Sequence, residues 1–173
     1  LADRSRHRNV LRTAAEAAGW GSPLPEGRGR GLSLQESFGS LVAQVIEAHI
    51  DDGAVRVDRV VLAVDPGFAV SPDGLRAQME SGVIFGLTAA LYGEITLEDG
   101  AVMQSNFHDY PVLRMDETPP IETHIINSME PWGGAGEPGT PGVAPALVNA
   151  VFDATGVRVR ELPLAKQDFS DWG

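Results

Sequence analysis

Phe38-Gly39-Ser40-Leu41-Val42-Ala43-Gln44-Val45-Ile46-Glu47-Ala48-His49-Ile50 is followed by Asp51-Asp52-Gly53, then by Val55-Arg56-Val57-Asp58 and Val60-Val61-Leu62-Ala63-Val64. The first run is long and mostly apolar on both faces, which is the pattern of a central strand covered from both sides. Asp-Asp-Gly is a hairpin signal, because the turn needs residues that tolerate a positive φ. The return strand begins with alternation and ends in a continuous apolar run, so its second half is expected to be buried on both faces. A long central hairpin therefore organises the fold.

Before it, Leu32–Ser37 reads as a short strand, Gly21–Gly31 (GSPLPEGRGRG) as a loop, and Arg8–Trp20 as a helix. In that helix Val10, Leu11, Ala14, Ala15 and Ala18 fall at helical spacing and Gly19 ends the run. After the hairpin, Asp65-Pro66-Gly67 breaks the strand, and Ser71-Pro72 places an N-cap and a first-turn proline ahead of a helix reaching about Gly93. Gly82 and Gly86 inside that helix each cost about 1 kcal/mol relative to alanine and make sense where another backbone packs closely. Ile95–Leu97, Glu98-Asp99-Gly100 and Ala101–Phe107 read as a second hairpin, and Ile121–Ser128 as a further strand. Trp132–Gly142 is a loop punctuated by Gly and Pro. A helix from Val143 to Ala154 follows, with Pro145 in its first turn and Gly156 near its C-cap. The expected fold class is α+β: antiparallel β-hairpins with a few helices packed on one face, forming a single domain over residues 1–173.

The chain has 173 residues, 43% hydrophobic and 21% charged, which suits one globular domain. Its 13 basic and 24 acidic residues give a net charge of −11. A field of that sign repels phosphate backbones and anionic membrane surfaces, so no nucleic-acid partner is expected. There is no apolar run of about eighteen residues, hence no membrane span is expected. The absence of cysteine excludes disulfides, thiolate zinc sites and cysteine-ligated iron–sulfur clusters within this chain, and leaves the compartment, cytoplasmic or periplasmic, open. The first twelve residues hold no apolar signal core, and a start at Leu1 fits a processed chain or a fragment.

Candidate chemistry is sparse. His7, His49, His108 and His124 show no i, i+4 pairing and no HExxH pattern, so a metal held by protein side chains is not expected. His108-Asp109 near Ser105 lacks the G-x-S-x-G elbow of a hydrolase. Gly27-Arg28-Gly29-Arg30-Gly31 is not a dinucleotide fingerprint, with no strand before it and no helix after it; it reads as a flexible, solvated entry into a strand. Gly133-Gly134-Ala135-Gly136-Glu137-Pro138 is different. Small residues let backbone approach a ligand with amide donors outward. A carboxylate pinned there away from water would have a raised pKa and serve as a general base. The alternative is a glycine-rich turn with a solvated glutamate, and the residues alone leave both open.

Several blocks carry a resemblance. Gly134-Ala135-Gly136-Glu137-Pro138, Ala144-Pro145-Ala146 and Asn149-Ala150 resemble the C-terminal signature of the xanthine dehydrogenase and aldehyde oxidoreductase family. Ala63-Val64-Asp65, Gly67 and Pro72 look like its A-V-D-x-G…N-P stretch, and Ala77-Gln78-Met79-Glu80 with Gly82 and Gly86-Leu87 is similar to its Q-x-E-G…G-L helix. Gly19-Trp20-Gly21, Gly27–Gly31, Glu36–Ser40, Asn106-Phe107, Asp109-Tyr110-Pro111 and Leu113-Arg114-Met115 look like the subgroup typified by the isoquinoline 1-oxidoreductase beta subunit. The resemblance runs from about Arg8 to Leu164. Two positions depart: Ser71 stands for the usual Asn, and Ser81 for a usual Gly, where it is expected to crowd a close contact.

The resemblance implies the C-terminal portion of the molybdopterin-binding domain of a molybdenum hydroxylase large subunit. Such enzymes oxidise N-heterocycles or aldehydes with water-derived oxygen, using molybdenum on a pterin, in bacteria usually the cytosine dinucleotide. It implies Glu137 as catalytic base, Gln78 as a pterin contact, and Ala135 and Gly136 as backbone near the metal. The family's M-G-Q-G and G-G-G-F-G blocks are absent here. The implied partners are the remainder of the large subunit and a separate 2Fe-2S subunit. The chain alone is expected to be inactive and to bind no cofactor. Apolar surface left bare on its continuous strands would favour a homo-oligomer. The alternative is a stand-alone, non-catalytic remnant of the fold acting as a binding or structural module.

Overall fold

The computed structural model describes residues 5–170; Leu1–Arg4 at the start of the N-terminal reading, and residues 171–173, lie outside the described residues. Helix α1 spans Ser5–Ala17, strands β1, β2 and β3 span Arg28–Ser37, Ser40–Asp51 and Ala54–Asp65, and helix α2 spans Pro72–Leu91. Short strands β4 (Leu97–Glu98) and β5 (Ala101–Val102) precede β6 (Ile121–Ile125), and helix α3 covers Val143–Thr155, ahead of a 3-10 turn at Leu164–Lys166.

The central hairpin forms as expected. β2 and β3 pair antiparallel with Gln44 opposite Leu62 and Val42 opposite Val64, and a bulge falls between Glu47 and Ala48. The turn works through Asp52 and Gly53, at φ 49° and 72°, the left-handed pair that a tight hairpin needs. β1 adds to β2, and β6 adds to the other side of β3 to give the order β1-β2-β3-β6.

Three expectations change. β6 runs parallel to β3, so the sheet is mixed; a parallel partner needs a crossover, and α2 lies within that connection. The helices cover both faces. Val10, Ala14 and Ala18 of the α1 region pack on Leu41, Ala43, Val45, Val61 and Ala63, while α2 and α3 bury Val42, Ile46, Val60, Leu62 and Val64 on the other side. Strands that are apolar on both faces need two covers, and this chain supplies both, so the continuous strands leave no bare apolar surface. Finally, Arg28–Gly31 is strand, not a flexible loop. An added Cβ on Gly29 or Gly31 would overlap the α3 backbone at Ala150 or Ala146, and Arg30 is fixed by Glu47 and by the carbonyls of Gly19 and Ser22. The glycines of that stretch are there because α3 lies directly on the edge strand, where Asp153 also accepts from the Arg30 amide.

Smaller differences have local causes. Ser71 sits at the α2 N-cap position, and its carbonyl accepts from the Leu75 amide, but its side chain makes no capping bond. The second hairpin shrinks to two residues per strand, fully exposed. Ser81 points away from the close contacts that Gly82 and Gly86 make, and it is exposed.

Candidate functional site

Asp65 ends β3 and starts the site. It is 1% exposed, and its carboxylate accepts from Arg6 Nε (2.8 Å), the Gly67 amide (2.9 Å) and Ser128 Oγ (2.8 Å). Burial alone would raise its pKa; the Arg6, Gly67 and Ser128 bonds outweigh that, and the net shift is downward. The same bond raises Arg6. The ion pair fixes the chain reversal at Pro66-Gly67, where an added Cβ would press on the carbonyls of Glu130 and Pro131. The segment leading into the glycine-rich loop is thereby held against the end of β3.

The loop has two different halves. Its carbonyls are tied to the sheet: Ser40 Oγ donates to Gly134 O (2.6 Å), Gln44 Nε2 to Gly139 O (2.6 Å), Ser33 Oγ to Gly142 O (2.7 Å), and Gln35 to Pro138 O. The Gly133 and Gly134 amides donate to Pro66 O and Phe38 O. Beyond them, among the described residues, the amides of Ala135, Gly136 and Glu137 donate to no protein group. Gly136 and Glu137 are exposed, whereas Pro138 and Gly139 are buried. An added Cβ on Gly136 would meet nothing within 4 Å.

Helix α2 meets the buried half by direct backbone approach. An added Cβ on Gly82 would lie 3.1 Å from Gly139 Cα, and one on Gly86 2.7 Å from Val143 Cγ2. This is the close packing that the two internal glycines led one to expect. It brings α2's exposed N-terminal turns beside the loop. Gln78 and Ala135 line one open cleft of about 270 Å³ with Pro66, Phe68, Val70 and Trp132. Val70 and Trp132 are 74% and 75% exposed. The structure therefore brings Gln78 and Ala135 together; Gly136 and Glu137 stand next in the chain, outside the cleft's lining and open to solvent.

A pterin-type heterocycle is large, and its polar edges require both donors and acceptors. Gln78 offers both from one side chain, three unspent amides offer donors, and the side-chain-free Gly136 admits close approach. The donor set fits. The cleft, at about 270 Å³, is below the roughly 300–1,000 Å³ of a complete ligand site, so on its own it does not enclose such a group. A larger apolar cleft of about 680 Å³ lies along the outer face of α2, between Phe85, Phe107, Ile84 and Leu113. Phe85 and Phe107 are each 70% exposed. Among the described residues this cleft, rather than the continuous strands, is one place where the chain bares apolar surface. Tyr92 Oη donates to Glu117 (2.6 Å) behind it; burial and that carboxylate push the phenol up to about 12, and Tyr92's bond holds Glu117 below its ordinary value.

Sequence reasoning passed over Asp65 as a charge anchor and the four side chains that hold the loop carbonyls. The available signal was Gln44, a lone amide within the apolar run Leu41–Ile46, which calls for a specific buried partner.

The sequence pattern of the molybdopterin cofactor-binding domain family matches residues 11–119. Isoquinoline 1-oxidoreductase subunit beta of Brevundimonas diminuta is 36% identical over 160 residues, covering 90% of this chain and 20% of the relative. The membrane-bound aldehyde dehydrogenase (pyrroloquinoline-quinone) of Gluconacetobacter polyoxogenes is 35% identical over 173 residues, covering 94% and 22%. Among solved structures, reconstituted CO dehydrogenase from Oligotropha carboxidovorans shares 25% identity at a TM-score of 0.63, over 73% of this chain and 18% of that one. The chain spans about a fifth of the length of these relatives. The family match stops short of the loop that carries Glu137.

Proposed function

The chain belongs to the molybdopterin cofactor-binding domain family, and on that premise we propose that it is the C-terminal portion of the molybdopterin-binding domain in a molybdenum hydroxylase large subunit. The whole subunit oxidises N-heterocycles or aldehydes, with oxygen taken from water and two electrons leaving through a separate 2Fe-2S subunit. The observation that carries this reading is the split loop: its carbonyls are bonded to the sheet while, among the described residues, the amides of Ala135, Gly136 and Glu137 donate to no protein group and the Glu137 side chain is exposed, next to a cleft that Gln78 and Ala135 share.

When bound, the molybdenum–pterin group, in its cytosine dinucleotide form, supplies the two-electron acceptor. Gln78 reads a polar edge of the pterin, its amide giving one donor and one acceptor. The backbone at Ala135 and Gly136 would lie near the metal end, where Gly136 has no side chain to stand in the way. Glu137 is the general base and accepts the proton of the water-derived nucleophile, a contribution of about 10²–10⁴-fold. In the chain alone Glu137 is solvated. Enclosure by the rest of the subunit would exclude that water.

Metal, pterin and quinone analysis of the complete assembly, with assays on an aldehyde and an N-heterocycle, tests the reading. Stoichiometric molybdenum with turnover is expected. Bound pyrroloquinoline quinone without molybdenum contradicts it, and so does a fully assembled subunit that holds no cofactor, which is the non-catalytic module. The isolated 173-residue chain is expected to be cofactor-free and silent, because one wall leaves every polar contact open to water. The Phe85–Phe107 cleft is expected to drive its self-association. Turnover by the chain alone overturns the first expectation, and a monodisperse monomer the second.

A further inference from the structure

Gln44 stands in the middle of β2 on the face that carries Val42, Ile46 and Ala48, opposite Leu62 of β3. It is 0% exposed. Its Nε2 donates to Gly139 O at 2.6 Å, and its Oε1 is buried without a partner. A half-satisfied buried amide carries a desolvation cost that an apolar side chain of similar volume at the same place would not. Its value therefore lies in what the satisfied half holds. Gly139 is two residues beyond Glu137, and only Pro138, whose ring fixes φ, separates them. From the opposite side α2 closes on the same residue: an added Cβ on Gly139 would lie 2.8 Å from Met79 O. The carbonyl of Gly139 is thus taken by the sheet while its Cα is pressed by the helix.

We propose that Gln44 is a positioning residue, which sets the height and pitch of Glu137 and of the free amides of residues 135–137 over the cleft by holding the Gly139 carbonyl. The proposal rests on the function argued above. A side chain kept only for packing would serve equally well as Met or Leu. A side chain kept for its donor would not, because the buried Gly139 carbonyl would lose its partner and the loop its one bond into the core of the sheet at that point.

The test uses the whole subunit that carries this chain, in its assembled enzyme. Gln44→Met removes the donor and the orphaned acceptor together, with Gln44→Leu as a second apolar variant should the first fail to fold. Val42→Ala, on the same face, removes packing alone. Amide hydrogen exchange across residues 134–142 is measured with Tm, kcat and KM. Gln44→Met is expected to speed exchange of the bonded Gly134 and Thr140 amides about tenfold or more and to lower kcat about 10- to 100-fold, with KM within about twofold and cofactor content unchanged. Val42→Ala is expected to lower Tm and move neither loop exchange nor kcat. Loop exchange in Gln44→Met equal to that of the parent overturns the proposal. Faster exchange with unchanged kcat also overturns it, but through its premise, since the loop would then be held for something other than proton transfer by Glu137.

Discussion

Gly31 of β1 and Gly136 of the loop after β6 lack a side chain for opposite reasons. Where Gly31 lies, the backbone of α3 occupies the space a Cβ would need; where Gly136 lies, nothing stands within 4 Å. The first glycine closes a seam between strand and helix. The second keeps an approach open. A glycine-rich run read from sequence is therefore ambiguous until its surroundings are known: Gly29 and Gly31 belong to the packing of the fold, as do Gly133 and Gly134, and Gly136 to its accessible surface.

Substituting both positions sharpens this contrast. Gly31→Ala forces a methyl group against the Ala146 carbonyl and is expected to cost about 3 kcal/mol, near the upper end of overpacking penalties, in denaturant unfolding. Gly136→Ala is expected to change stability by less than about 0.5 kcal/mol and to act on cofactor occupancy instead. Equal stability effects at the two sites would erase the distinction.

The anchor at the end of β3 is expected to follow. Asp65→Asn removes the charge that Arg6, Gly67 and Ser128 share and should cost about 2 kcal/mol at neutral pH. The Asp65 pKa is depressed in the folded chain. Its contribution is therefore complete above the unfolded value of about 3.9 and is lost as pH falls through the lower folded value. The gap between the melting curves of parent and Asp65→Asn should begin to narrow below about pH 4 and close only once the pH is below the depressed folded value. A gap that does not narrow as the pH falls through that range would place the effect outside the ionised pair.

Much of the fold was legible because hydrophobic pattern speaks directly to burial. The central hairpin, the Asp52-Gly53 turn, and α2 with its two close-packing glycines all follow from residues 38–93. The parallel pairing of β6 was not legible, since a five-residue strand carries no mark of its direction. Nor was the second helical cover. Strands apolar on both faces require two covers, but the sequence does not say that α1, with few large apolar residues, supplies one of them. At the site, Glu137 was marked by its glycine-rich loop and Gln78 only by the family resemblance; the structure puts Gln78 and Ala135 in one cleft and leaves Glu137 exposed beside it. The carbonyl ties from Ser33, Gln35, Ser40 and Gln44 were not legible, because each joins residues about 95 or more positions apart.

Gln78→Leu tests the smallest expected effect on the fold against a large one on binding. Gln78 is exposed, so stability should stay within about 0.5 kcal/mol, while molybdenum content of the assembled enzyme falls. Equal molybdenum in variant and parent would remove Gln78 from the cofactor's wall.

The most direct measurement concerns Glu137. Glu137→Gln preserves shape and removes the proton acceptor. In the assembled enzyme at equal molybdenum content, kcat is expected to fall about 10²–10⁴-fold, with the loop's hydrogen exchange unchanged. A variant that turns over at close to the parent rate would contradict Glu137 as the base.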